Sequence, residues 1–246
     1  MRVVSALLAG LFILAGSRLA FACGLAPHVG PTGAILECDG QEHDEVGRWR
    51  VAVQGGALRS ELAAGATEIG IEQLSLTARA DRRLGTRFSV GFGAGSILGG
   101  SLRPPGGEQL DFGVGWTVGA SASALTLAER SLRPFVFATL SAAYSSTQTN
   151  PGAGGTGGGT YIGRDVRLGV AVGKSFGPVR PYLAARVFGG GFRWEGTSPA
   201  TTGGDSHLYQ VGAGAAIELP WQHLDIVVEA MPLGERSFTG GVGRSF

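Results

Sequence analysis

Asp205-Ser206-His207 is where the residue types of this chain come nearest to catalytic chemistry. An acid and an imidazole can move a proton only if both reach one reacting atom. Here His207 has the parity of the apolar Tyr209 and Val211 that follow it, so strand phase turns it away from any interior cleft. Ser206 is no better placed as a nucleophile for His207, because neighbouring residues of a strand point to opposite faces. His28 and His43 lie among Glu37, Cys38, Asp39, Glu42, Asp44 and Glu45, all metal-ligating types. Their spacing matches no zinc pattern, and the composition is that of a solvated acidic linker. Glycine strings resembling phosphate loops occur only because glycine is everywhere, and none joins a strand to a helix. No metal and no cofactor is expected.

The ends of the chain say how it travels. Arg2, the apolar run Val3 to Gly16 and the small-x-small site Ala20-Phe21-Ala22 form a secretory signal over residues 1–22. Its core is too short to span a bilayer, which takes about 20 apolar residues. Cleavage leaves Cys23 as the new N-terminus, followed by a lead over residues 23–45. Export makes a Cys23–Cys38 disulfide the first reading of the two cysteines. Lipidation of Cys23 is the alternative, with Ala20 where a lipobox usually carries Leu. Removal of Arg2 and Arg18 leaves 18 basic against 19 acidic residues, which gives nucleic acid no footing.

From Val46 onward apolar and small or polar residues alternate with period 2. Leu110, Phe112, Val114, Trp116, Val118, Ala120 and Ala122 fall on one face; Asp111, Gly113, Gly115, Thr117, Gly119 and Ser121 fall on the other. Ten such segments appear, at about 46–55, 71–81, 86–96, 109–122, 134–147, 160–174, 180–194, 207–219, 222–231 and 235–246. Each is near the ~9–11 residues with which a tilted strand crosses a bilayer, and an even antiparallel set closes without an edge. The predicted fold is therefore all-β, an antiparallel transmembrane β-barrel of ten strands over residues 46–246. The apolar face is read as outward, since the other face, mostly Gly, Ala and Ser with isolated charges, makes a poor solvent surface. A soluble barrel binding an apolar ligand reverses that assignment. Long connections at 56–70, 97–108, 148–159 and 195–206 alternate with shorter ones at 82–85, 123–133, 175–179 and 220–221. Trp49, Trp194, Tyr209, Trp221, Phe238 and Phe246 fit interfacial girdles.

Strand phase turns Arg48, Arg50, Arg79, Asp111, Arg167, Arg186, Glu218, Asp225 and Glu229 into the lumen. Arg167 and Arg186 approach each other on adjacent strands and need a carboxylate, Glu229, from across the barrel. Charges away from bulk water must be paired, so a locked network that plugs the lumen is expected. A ring lining a small channel is the alternative.

The final run, Phe238-Thr-Gly-Gly-Val-Gly-Arg-Ser-Phe246, resembles the closing strand of the Gram-negative outer-membrane β-barrels. The resemblance implies an insertion signal at Phe238, Val242 and Phe246, read by the barrel assembly machinery. Arg244 departs from the alternation and would reach back to the headgroups. It further implies the outer membrane as location, its lipid and lipopolysaccharide as partners, a monomer, both termini in the periplasm and the long loops outside. Asp205 and His207 are also similar to the Asp-x-His pair of the omptin proteases, barrels with a site at the external rim. Those proteases add an Asp-x-Asp motif that this chain lacks. The expected function is a non-enzymatic barrel for envelope structure, surface binding or limited passage of small solutes.

Overall fold

The computed structural model describes residues 49–85, 87–104, 107–130, 132–151, 158–196, 199–219 and 223–246. The signal and the lead, with both cysteines, His28 and His43, lie outside the described residues, as do Arg48 and Trp221.

The strands are β1 (Trp49–Ala64), β2 (Thr67–Arg83), β3 (Phe88–Arg103), β4 (Leu110–Phe112), β5 (Gly115–Leu127), β6 (Phe135–Pro151), β7 (Gly159–Gly173), β8 (Val179–Trp194), β9 (Thr201–Asp205), β10 (Tyr209–Leu219), β11 (Leu224–Gly234) and β12 (Arg236–Ser245). Every pairing is antiparallel. Ten of them, β1-β2-β3-β5-β6-β7-β8-β10-β11-β12, form a ring closed where β12 meets β1, Arg50 opposite Ser245 through Arg59 opposite Arg236. The short β4 and β9 continue the lines of β5 and β10 after breaks at 113–114 and 206–208. At the outer end the wall changes its strand number. The β11–β12 hairpin turns back at Gly234 and Glu235, while β1 runs on to Ala64. Above that hairpin β9 pairs β8 and β1 directly, with Leu62 opposite Asp205. With β4 between β3 and β6, this closes a second ring of eight, β1-β2-β3-β4-β6-β7-β8-β9. Ser206 seals the step: its backbone N–H and its hydroxyl both donate to the Glu61 carbonyl, at 3.1 and 2.5 Å.

The two rings have opposite polarity. In the ten-stranded wall the outward residues are apolar, with Phe92 59%, Leu168 54% and Leu183 69% exposed, and the inward ones are polar. In the eight-stranded collar the outward residues are Glu61, Glu68, Arg103, Asp111, Gln148 and Arg193, and the inward ones are Leu62, Ile69, Leu102, Leu110, Phe112, Tyr161, Phe192 and Trp194. A wall in lipid must be apolar outside, and a wall in water must be apolar inside. The inversion therefore marks the membrane surface. On β1 it falls between Ala57 and Arg59, and the ten residue steps from Trp49 to Arg59, at ~3.3 Å each and tilted by ~40°, cover about 25 Å, the height of a barrel's apolar band.

Four expectations are corrected. Residues 56–70 are not a loop: β1 and β2 form one hairpin across them, with Ala64 opposite Thr67. Likewise β3 extends through 97–103, and β9 occupies part of 195–206. The apolar residues change parity at the inversion, from Val51 and Val53 to Leu58 and Leu62, and a parity change reads in sequence as the end of a strand. Trp194 is not an interfacial residue. It is buried inside the collar, where its indole N–H donates to Thr149 Oγ1 at 3.0 Å.

Candidate functional site

Strand alternation delivers a belt of buried charges to the lumen. Arg50 Nε donates to Asp225 Oδ1 at 3.0 Å, and its Nη2 pairs with the other oxygen of the same carboxylate; Nη1 lies 3.4 Å from Asp81. Arg79 donates to both oxygens of Asp81, at 2.6 and 2.8 Å, and to Ser121 Oγ at 3.0 Å. Arg186 Nη2 donates to both oxygens of Glu229 at 2.7 Å, and the Tyr182 hydroxyl donates to Glu229 Oε2 at 3.2 Å. Nearer the end that carries the chain termini, Arg180 pairs with Glu218 at 2.7 Å. Each pair joins residues from different strands or from two positions of one face, so the wall itself holds the geometry.

A second cluster lies under the collar. Arg167 pairs with Asp165 on its own strand and reaches Glu235 at 2.8 Å; Gln210 Nε2 donates to the same Glu235 oxygen at 2.6 Å. The Phe188 ring stacks under the guanidinium at 4.5 Å. Asp205, at the end of β9, adds a third carboxylate to this neighbourhood. Glu235, in the β11–β12 turn, is pushed up to about 8 chiefly by burial, against the pull of Arg167. Burial and then the Asp165 charge raise Asp205 to about 6. One arginine faces three carboxylates here, and burial with their mutual repulsion favours the neutral form of Glu235 and Asp205.

Two clusters of buried apolar residues flank the belt: Leu58, Ile71, Ile97, Leu102, Phe112 and Tyr161 pack within the collar, while Phe135, Phe137, Tyr182, Ala216 and Val227 pack toward the end that carries the chain termini. No group of three or more His, Cys, Asp or Glu residues forms a metal site among the described residues.

Arg50, Arg79, Arg167, Arg186, Glu218, Asp225 and Glu229 all sit on the inner face. Glu229 meets Arg186 but not Arg167, which has its own carboxylates. Asp111 is a correction: it faces outward and accepts from Gln109 Nε2 at 3.3 Å. The break between β4 and β5 shifts the phase by one, so Leu110 and Phe112 point inward while Trp116 and Val118 point outward. Asp81, Asp165, Arg180 and Glu235 join the network although no prediction singled them out. The same parity carried the signal, since Asp81 and Asp165 each stand two residues from a predicted lumen arginine. Phe238 and Val242 face outward on β12, Phe246 is exposed just beyond it, and the Arg244 guanidinium lies 5.4 Å from the Phe246 ring. Asp205 and His207 part company at the rim. Asp205 turns in toward the Asp165–Arg167 pair, whereas His207 Nδ1 faces Glu61 on the outer wall at 4.0 Å. Ser206 Oγ, in a bend rather than a strand, does come within 3.5 Å of His207 Nδ1, contrary to the alternation. It uses the same ring nitrogen that faces Glu61, which leaves no relay through the ring.

No family model and no curated protein matches the chain. Among solved structures it is similar to the outer membrane protease OmpT from Escherichia coli, at 11% identity over 84% of this chain and 99% of that one, with a TM-score of 0.53. It is also similar to the translocator domain of the autotransporter NalP from Neisseria meningitidis, at 14% identity over 88% and 93% of the two chains and a TM-score of 0.46. A third is Neisserial surface protein A, at 16% identity over 81% and 99% and a TM-score of 0.33. At such identities the likeness extends to the fold alone. With its closed antiparallel wall and outward apolar band, the chain has the fold of an outer-membrane β-barrel.

Proposed function

We propose that this protein is a sealed, non-enzymatic barrel that serves the envelope as a structural wall and carries a rigid collar at the cell surface for binding. The observation that supports this reading is the paired belt: Arg50, Arg79 and Arg186 each hold a buried carboxylate, and clusters of buried apolar residues flank them. Buried charges paired in this way rigidify a wall rather than conduct. A rim protease needs Asp205 and His207 to converge on one bond, and their opposite orientations speak against it. Purified barrel in a planar bilayer is expected to give no unit conductance steps. Steady single-channel steps would overturn the sealed reading and make passage of small solutes the working function.

A further inference from the structure

At the end of the barrel that holds the chain termini, the turns 84–87, 128–134 and 174–178 lie side by side, because β3 pairs β5 and β6 pairs β7. Hydrogen bonds tie them together. The Leu125 N–H donates to the Arg87 carbonyl at 2.8 Å, and Lys174 Nζ donates to the Arg130 carbonyl at 3.0 Å. Over residues 82–90, 125–135 and 172–179 the sequence sets Arg82, Arg83, Arg87, Arg130, Arg133 and Lys174 against a single carboxylate, Glu129. That carboxylate is already engaged. Lys174 lies 3.0 Å from it, and the Ser175 N–H and hydroxyl donate to it at 3.1 and 2.7 Å. Arg87, Arg130 and Arg133 are exposed and have no ion pair among the described residues. Like charges gathered on one rim repel each other and attract a polyanion.

The chain enters the barrel beside this arc. Trp49, the first residue of β1, stands opposite Arg82, whose guanidinium lies 5.5 Å from the indole. Residues 23–47 contain no Lys or Arg, and their acidic residues, Glu37, Asp39, Glu42, Asp44 and Glu45, all fall within 37–45. At ~3.3 Å per residue, Glu45 can reach about 13 Å from Trp49 and Glu37 about 40 Å. From β1 to β7 the arc covers five strand spacings of ~4.8 Å, about 24 Å along the rim.

We infer that this arc is the docking surface of the acidic run 37–45, whose carboxylates neutralise Arg87, Arg130 and Arg133. Exposed ion pairs are weak one at a time. A tethered segment, however, meets its surface at an effective concentration of about millimolar, so several weak pairs together hold it. The inference concerns the rim and is independent of whether the lumen is sealed.

The test uses the full chain, refolded in a zwitterionic detergent, and a glutamyl endopeptidase that cuts after Glu37, Glu42 and Glu45, with loss of the N-terminal segment read by mass. Rates are taken in about 20 mM and about 500 mM sodium chloride, since salt screens exposed pairs. Each is divided by the rate for a free peptide of residues 34–48 in the same salt. Arg87→Gln, Arg130→Gln and Arg133→Gln are combined in one variant. The control combines Arg103→Gln, Arg193→Gln and Arg236→Gln, which removes as many charges from the collar. At low salt the unmodified protein should be cut about tenfold more slowly than the rim variant, as several weak pairs acting together require. High salt should abolish that difference, and the collar variant should behave like the unmodified protein. Equal rates for the unmodified protein and the rim variant at low salt, or equal acceleration in the collar variant, would overturn the docking. So would an unmodified protein whose normalised rate does not rise with salt, a result that stands even where the rim variant fails to fold.

Discussion

Glu229 is the residue on which the middle of the lumen turns. It accepts two hydrogen bonds from Arg186 and one from Tyr182, all buried. Glu229→Gln would keep the shape and remove the counter-charge, leaving the Arg186 guanidinium out of water without a carboxylate. We expect a loss of about 3–5 kcal/mol of stability, the usual cost of breaking a buried pair, measured as a lower unfolding midpoint in detergent. An unchanged midpoint would mean that water solvates the belt. Asp205 gives a prediction of the opposite sign. Its carboxyl is raised from 3.8 to about 6, so between those values the folded barrel binds more protons than the unfolded chain. Its contribution is fully present below about pH 4 and is lost as pH rises through about 6. Asp205→Asn should flatten that window and stabilise the collar near pH 7.5 by about 1–2 kcal/mol, the shift being discounted for partial exposure. Unfolding midpoints of both proteins across pH 4 to 8 provide the check, and parallel curves would refute it.

At the scale of elements, the hairpin of β11 and β12 decides where the wall narrows. Gly234 at its tip has φ +76°, and a Cβ there would overlap the Tyr209 carbonyl oxygen, which accepts the neighbouring Glu235 N–H at 3.0 Å. Gly234→Ala should therefore cost about 1–3 kcal/mol through backbone strain and steric conflict. Gly240→Ala on β12, where the nearest atom is 3.8 Å from an added Cβ, should be close to neutral. Similar midpoints for the two variants would show that the tip is free to relax. The strands of the lower wall were legible because period 2 with one apolar face is a strong signal over ten residues. The collar strands were not, because the same period continues with the faces exchanged. Leu58 and Leu62 break the rhythm of Val51 and Val53, and without the neighbouring strands nothing distinguishes an inversion from a loop.

At the scale of the molecule, both rings satisfy their backbone groups internally and need no edge. Such a wall resists detergent. Unheated protein should migrate as a compact band on a denaturing gel and shift to its full length on boiling. A species that stays monomeric in plain buffer and shows no shift would contradict the membrane reading, in which Val53, Phe92, Leu168 and Leu183 face hydrocarbon.

The sequence by itself determined the barrel, its closing strand and the inward face of most belt charges, because these depend only on parity along one strand. Arg50, Arg79, Arg186, Asp225 and Glu229 were found in this way. Which charge meets which was decided in three dimensions. Register carries Asp225 to Arg50 across 175 residues of chain and gives Arg167 to Asp165 and Glu235 rather than to Glu229. Asp111 shows the same limit from the other side, since a two-residue break exchanged its faces. The narrowing to eight strands and the inverted collar exist only because a short hairpin lets β9 reach β1, a contact between residues far apart in sequence that no local period encodes.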